Sequence, residues 1–484
     1  MINKIFKNRL IYQILFSFVP VVIVSIVLFR SNLNIFNVHM VNQILNDEPF
    51  YAKQIENVLY HGCPVGYFGY NETHSLIGGF GAWSPILIYV YSLFYKVINV
   101  GMDTLYFVNL IMVILALMFT YIYCDCSKKE CLSYSIIFLS PLIIRFSFSG
   151  MSEAFFYAGI FLFFAFYKKK NKYLGLITIF IYSLIRPYFI IFYPLFLFEK
   201  EKTIKSIINV IFISLINLIL YFLITHYFTA PYLFPQLRVS DIVSLFSFNL
   251  IETIKELIKY VSTNFNNFVL IIKNGFIYGD LSAAGFVQYL TIVLIFMLNL
   301  KNNLIAKKID YIYMIIILIV MLLATINIYH VGASVRHLLV IMIFPVLYLL
   351  DVSIKTNSNK NVYILLFSTL LLNLHFFKIH KNLWRTIDFS DYLIEEEIFD
   401  NFDSNKTGYS NTISFEYDTD FDLYHVMFSI PSSYAISFCT TDYLLHNEPL
   451  SEYIIVSTES PTISKMDENL SLIYKNDKLI VYKK

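Results

Sequence analysis

The residues able to do chemistry in this 484-residue chain lie at the ends of long apolar runs. Asn46-Asp47-Glu48-Pro49 opens a polar segment that also holds His61, Glu72 and His74. Glu153 closes the turn Ser149-Gly150-Met151-Ser152-Glu153, and Arg145 lies just before it. Arg186 precedes Pro187, and Arg336 and His337 end the stretch that begins at His330. Ionisable side chains near a bilayer are costly and therefore mark candidate sites. Carboxylates serve as general bases or cation ligands, and guanidinium forks suit phosphate oxygens. Plainer readings compete. Asp47 and Glu153 each stand where an acidic residue caps a helix. Arg145 is placed to snorkel toward an interface, which is the favoured reading for it. His61 and His74 are thirteen residues apart, which is not a metal-ligand spacing. Cys124-x-Cys126-x4-Cys131 lacks a fourth ligand for zinc. Cys63 and Cys439 share the outer side and are open to pairing.

The elements that must position these groups follow from composition. Hydrophobic residues make up 57% of the chain and charged residues 14%, and mean hydropathy is +0.64. Soluble domains carry about 25% charged residues. Several apolar runs reach the roughly 20 residues needed to span a bilayer. The expectation is a polytopic α-helical membrane protein. The formal charge of +2 divides into +12 over residues 1–380 and −10 over 381–484. No compact basic domain suggests nucleic-acid binding. The chain's lysines cluster at 4–9, 128–129, 168–172, 200–205, 301–308 and 355–360. Basic loops face the cytoplasm, so an even number of crossings must separate each pair.

That parity gives eleven crossings, a cytoplasmic N-terminus and an external C-terminus. The spans run over 10–29, 103–123, 132–149, 153–167, 173–198 as two half-spans broken at Arg186-Pro187, 204–224, 284–300, 309–328, 337–351 and 361–377. No small-residue cleavage site follows the first run, so it is read as a span rather than a signal peptide. Residues 85–98 read as an interfacial helix, and 249–272 as an amphipathic stretch of an outer segment. Arg336 falls in an outer turn on this reading. The expected organisation is a membrane domain, 1–377, with outer loops 31–102 and 225–283, then an extracytoplasmic α+β or β-rich domain, 378–484. In the latter, 453–457, 472–474 and 479–482 are β-prone, and Asn476-Asp477 signals a hairpin.

In this arrangement the chain resembles the GT-C membrane glycosyltransferases, in the branch with protein O-mannosyltransferases and lipid A aminoarabinose transferases. The resemblance rests on Asp47-Glu48-Pro49-Phe50-Tyr51-Ala52 followed by Gly62, and on Pro85 leading an aromatic helix with Tyr89 and Tyr91. It rests further on Glu153 in the second outer turn, the half-spans around Arg186 and the external tail. Relatives often carry a Lys before the proline, where this chain reads Ala82-Trp83-Ser84. The run Gly66–Asn71 is an unusual aromatic insert.

The resemblance implies transfer of a sugar from a polyprenyl-phosphate donor to a hydroxyl of an extracytoplasmic glycan, lipid or protein, with inversion. It implies Asp47 as general base, Arg336 and Arg186 on the donor phosphate, and Glu48 and Glu153 orienting the acceptor or binding a divalent cation, Mg or Mn. Tyr67, Tyr70, His74 and Trp83 are candidate sugar or acceptor contacts. The expected location is a bacterial plasma membrane, with membrane lipid as a further partner. Two other classes fit the same profile. One is a surface-polysaccharide polymerase or ligase; the other is a non-enzymatic flippase or transporter of lipid-linked glycans.

Overall fold

The computed structural model describes residues 2–30, 34–36, 47–63, 68–72, 84–98, 103–198, 203–228, 250–278, 281–299, 308–328, 331–358, 360–379, 390–399 and 411–484. The chain is a membrane protein. Among the described residues five helices are long and apolar enough to cross a bilayer, and six if one bent pair counts as a span. The rest of the eleven expected crossings fall on shorter or interrupted apolar helices, and their number is not fixed by this criterion.

The first apolar run forms two helices, α1 (Ile2–Ser17) and α2 (Val19–Arg30), parted at Phe18. The next helix, α3 (Asp47–His61), carries the first polar segment. Pro85 starts α4 (Pro85–Tyr95), where its missing N–H costs nothing. The full span α5 (Thr104–Tyr123) follows. The expected straight span over 132–149 is corrected. It consists of α6 (Lys128–Ser135), a 3-10 turn and α7 (Pro141–Ser147), bent by 91°. Pro141 is the physical reason, because Ser140 before it is held extended at ψ 125° and the helix cannot continue.

Helix α8 (Glu153–Lys168) packs against α5 in the centre of the bundle. Then α9 (Lys172–Ile185) ends at Arg186, whose φ −135° and ψ 106° are the extended values a residue before proline takes. A 3-10 segment from Pro187 and the short α10 (Tyr193–Leu197) complete the interrupted pair. Beyond them lie α11 (Thr203–Phe228), the amphipathic α12 (Leu250–Tyr278), α13 (Leu281–Asn299), α14 (Lys308–Asn327), α15 (Val331–Lys355) and α16 (Lys360–Ile379). Arg336 is corrected from a turn residue to a helical one, on the second turn of α15.

The two ends of α8 have different chemistry. At its C-terminus Lys168 Nζ lies 2.6 Å from Glu130 and 2.9 Å from Asp351, an ionic knot joining α6, α8 and α15. Its N-terminus, about 22 Å away at 1.5 Å per residue, bears Glu153.

The tail forms one side of a six-stranded sheet of order β1-β3-β2-β4-β6-β5. Its strands are β1 (Phe68–Tyr70), β2 (Thr412–Glu416), β3 (Ala435–Cys439), β4 (Tyr453–Ser457), β5 (Ser471–Lys475) and β6 (Leu479–Lys483). β1 to β4 run parallel, and β5–β6 is the expected hairpin, with Asn476 Oδ1 accepting from the Lys478 and Leu479 amides. β1 belongs to the first loop, so that loop supplies the sheet's edge strand. Asn71 and Glu72 after it hold left-handed φ of 48° and 55°. The strain is offset by what Glu72 gains. Fully buried, it accepts from Ser414 Oγ, Tyr443 OH and the Leu450 and Ser451 amides at 2.7–3.1 Å. Cys63 is exposed, Cys439 is buried, and both are free thiols rather than a pair. Burial raises the Cys439 thiol to about 12.

Glu72→Ala would leave four donors around the vacated carboxylate, each costing about 1–3 kcal/mol if unsatisfied. The expected outcome is a tail released from the first loop: faster chymotrypsin cleavage within 62–84, which holds Tyr, Phe and Trp, and a lower apparent Tm, with Glu72→Gln intermediate. Unchanged cleavage and Tm would show that the clasp contributes nothing.

Candidate functional site

The centre of the polar cluster is built on the turn between α7 and α8. Asn109 of α5 donates its amide to the carbonyls of Ser149 and Met151, both at 2.7 Å. Tyr91 of α4 in turn donates to Asn109 Oδ1 at 2.6 Å. Tyr51 of α3 meets Ser152 Oγ at 3.1 Å. Three helices thus hold the turn that ends in Glu153.

Glu48, on the first turn of α3, is 3% exposed. Its carboxylate accepts from Tyr106 OH at 2.7 Å and from the Gly150 amide at 3.1 Å. Gly150 is required by proximity, because a Cβ there would sit 2.9 Å from Glu48 Cβ and Cγ. Arg145 of α7 is buried, and its charge acts on Glu48 and Tyr106. The snorkelling reading of Arg145 is therefore corrected: the partner that keeps it inside is a carboxylate from another helix.

Glu153 is 1% exposed. Arg336 Nε stands 3.4 Å from its Oε1, and among the described residues neither carboxylate oxygen has a hydrogen-bond partner. Arg186 is buried at the α9 break, stacked over the Phe156 ring at 5.6 Å, and its charge is coupled to those of Glu153 and Arg336. His337 lies beside both arginines with its ring 5.6 Å from that of Tyr188. So the structure gathers Glu153, Arg186 and Arg336 from three separate parts of the chain.

Other expected site residues fare differently. Asp47 is the first residue of α3, but its side chain lies outside the described part. Tyr67, His74 and Trp83 lie outside the described residues. Tyr70 is on β1, packed against Phe438 at 5.5 Å and Tyr417 at 6.2 Å in the tail sheet. Tyr51, Tyr106, Asn109 and Arg145 were not among the expected site residues. Tyr51 stands in the run Asp47–Ala52 and Arg145 has the profile of a snorkelling residue, whereas Tyr106 and Asn109 give no signal except that each is a polar group within an apolar stretch.

α3 is tied to the tail as well as to the turn. Phe50 packs on Phe438 at 5.0 Å and on Tyr424 at 6.4 Å. Lys53 donates to the Ile430 carbonyl and is 4% exposed. For a divalent cation the fit is incomplete. Among the described residues no group of three or more His, Cys, Asp or Glu converges, and Glu48 is already engaged, which leaves Glu153, facing Arg336, as the cluster's other described carboxylate.

No family model matches the chain, and no curated protein matches it. Among solved structures it is similar to the Archaeoglobus fulgidus oligosaccharyltransferase in the apo form, at 12% identity and TM-score 0.48 over 93% of this chain and 69% of that one. It is also similar to ArnT from Cupriavidus metallidurans in the apo state, at 11% identity and TM-score 0.42 over 97% of each chain. At scores below 0.5 the likeness is one of chain path only, and roles for residues rest on this chain's own geometry.

Breaking the Glu48–Arg145 couple tests its part in assembling the cluster. Arg145→Met strands a buried carboxylate, a loss of about 3–5 kcal/mol, whereas removing both charges of a buried pair is near neutral. Apparent Tm in detergent should fall for Arg145→Met and recover in Glu48→Gln/Arg145→Met. Additive losses in the double variant would mean the two do not interact.

Proposed function

We propose that the protein is a membrane glycosyltransferase that moves a sugar from a polyprenyl-phosphate donor to a hydroxyl of an extracytoplasmic acceptor. The observation that carries this reading is Glu153. It is a buried carboxylate with no hydrogen bond to either oxygen among the described residues, facing Arg336 and coupled to Arg186. A buried charge so poorly satisfied is costly. A site organised to receive a ligand accounts for it, because the ligand's own polar groups complete the network.

The roles follow from charge. Arg186 and Arg336 take the donor phosphate, their guanidinium forks matching its oxygens. The Phe156 ring, 5.6 Å from the Arg186 guanidinium carbon, supports that cation from one side. Asp47, which opens α3 next to Glu48, takes the proton of the acceptor hydroxyl. The oxygen then attacks the anomeric carbon as the bond to the phosphate oxygen breaks. The arginines stabilise the departing phosphate, an electrostatic effect of several kcal/mol. One displacement inverts the centre. Glu153 orients the acceptor, its free oxygens accepting from sugar or acceptor hydroxyls. Glu48 fixes the pitch of α3 through Tyr106 and Gly150 rather than reacting. A divalent cation such as Mg or Mn, if taken up, would be held by Glu153 and Asp47 and would supply positive charge toward the donor phosphate. The N-terminus is assigned to the cytoplasm and the tail to the outer side, in keeping with the basic loops.

The test is transfer of radiolabelled sugar from polyprenyl-phosphate donors in membranes holding wild-type, Asp47→Asn or Glu153→Gln protein at matched expression. Loss of the base is expected to lower transfer by about 100-fold or more, and Glu153→Gln to raise the acceptor KM. Equal transfer by wild-type and Asp47→Asn protein would reduce Asp47 to a helix cap and overturn the mechanism.

A further inference from the structure

The tail's sheet has a topology of its own. From β2 the chain goes to β3 on one side and then crosses to β4 on the other, all three strands being parallel. In open α/β sheets ligands bind beyond the C-terminal ends of the strands at such a reversal. At these ends lie Glu416, the last residue of β2, with Asp418 after it, Thr441 after β3, and Ser460 and Thr462 after β4.

They form a knot of oxygens with too few protons. Thr441 Oγ1 stands 2.7 Å from Glu416 Oε1, 2.8 Å from Asp418 Oδ1 and 2.9 Å from Thr419 Oγ1. One hydroxyl proton cannot serve two carboxylates. Ser460 Oγ lies 2.8 Å from the same Glu416 oxygen and 2.7 Å from Thr462 Oγ1. Among the described residues the only amide donated to either carboxylate is that of Thr441, to Asp418 at 2.8 Å. Glu416 is fully buried, and its Oε2 has no hydrogen-bond partner among them. Among the described residues neither Glu416 nor Asp418 pairs with a Lys, Arg or His. Asp418 is exposed, so the knot opens to solvent at one edge.

A buried carboxylate with one oxygen unpaired and no basic partner is costly, and clustered hard oxygens suit a hard cation. Calcium accepts six to eight oxygen ligands in loose geometry and completes its shell with water. Magnesium demands near-ideal octahedral placement, which hydroxyls fixed by three different strand ends do not offer. We propose that Glu416 and Asp418, with the hydroxyls of Thr441 and Ser460, form a calcium site at the C-terminal edge of the tail's parallel strands. Bound there, the ion ties the ends of β2, β3 and β4 together. This site is separate from the Glu153 cluster and does not depend on the function proposed for it.

Equilibrium binding of radioactive calcium to the purified full-length protein in detergent tests the site, together with apparent Tm with and without the ion. Wild-type protein should bind one ion saturably and gain Tm. Asp418→Asn, at the exposed rim where folding is not threatened, should weaken binding at least tenfold, as should Glu416→Gln. Asp477→Asn, in the β5–β6 turn, should bind as wild type does. Absence of saturable binding in wild-type protein, wild-type affinity in Asp418→Asn, or loss of binding in Asp477→Asn would each overturn the proposal.

Discussion

The structure depends on charges taken out of water and made to satisfy one another. Moving a carboxylate or guanidinium from water into a packed helical interior costs several kcal/mol even after relaxation. This chain does so with Glu48, Glu153, Arg145 and Arg186, all at most 8% exposed. Each must therefore find opposite charge or hydrogen bonds from another part of the chain. That requirement brings α3, the α7–α8 turn, the α9 break and the start of α15 to one place. Glu48 meets it fully, through Tyr106, Gly150 and Arg145. Glu153 meets it only in part, with Arg336 at 3.4 Å. The difference divides the cluster into a scaffold and a receiving end.

The tail extends the same logic. α3 carries the residue proposed as base, and a helix of fifteen residues at the end of a loop needs fixing. Glu48 fixes its first turn to the membrane helices, while Phe50 and Lys53 fix it to the tail. Further along the same loop, β1 joins the tail's sheet and Glu72 is locked beneath it. The tail thereby stabilises the segment that faces the cluster. A domain with no recognised binding motif acquires a positioning role through packing alone.

Much of this was legible in the sequence wherever a local rule applies. Arg186-Pro187 marks a helix break because proline removes a hydrogen bond and constrains its predecessor. Asn476-Asp477 marks the hairpin, and the apolar runs mark the helices. The rule that finds Arg186 applies equally to Ser140-Pro141, yet the apolar run around it reads as one straight span when length alone is weighed. What was not legible depends on contacts distant in sequence. Arg145 by itself has the profile of a snorkelling side chain, and only Glu48, nearly a hundred residues away, makes it an interior charge. β1 has three residues, too few for a strand period, and acquires its conformation from β3. Arg336 follows Gly332 and small polar residues that read as a turn, whereas packing extends α15 back to Val331.

The central claim is that the arginines opposite Glu153 receive a lipid phosphate. The most direct measurement is the affinity of the purified protein for a polyprenyl phosphate against the polyprenol of the same length, in wild-type, Arg186→Gln and Arg336→Gln protein. The account predicts that the phosphate binds at least about tenfold more tightly than the alcohol, equivalent to roughly 1.4 kcal/mol, and that either substitution abolishes the preference. Equal affinity for phosphate and alcohol in the wild-type protein, or a preference that survives both substitutions, would contradict it.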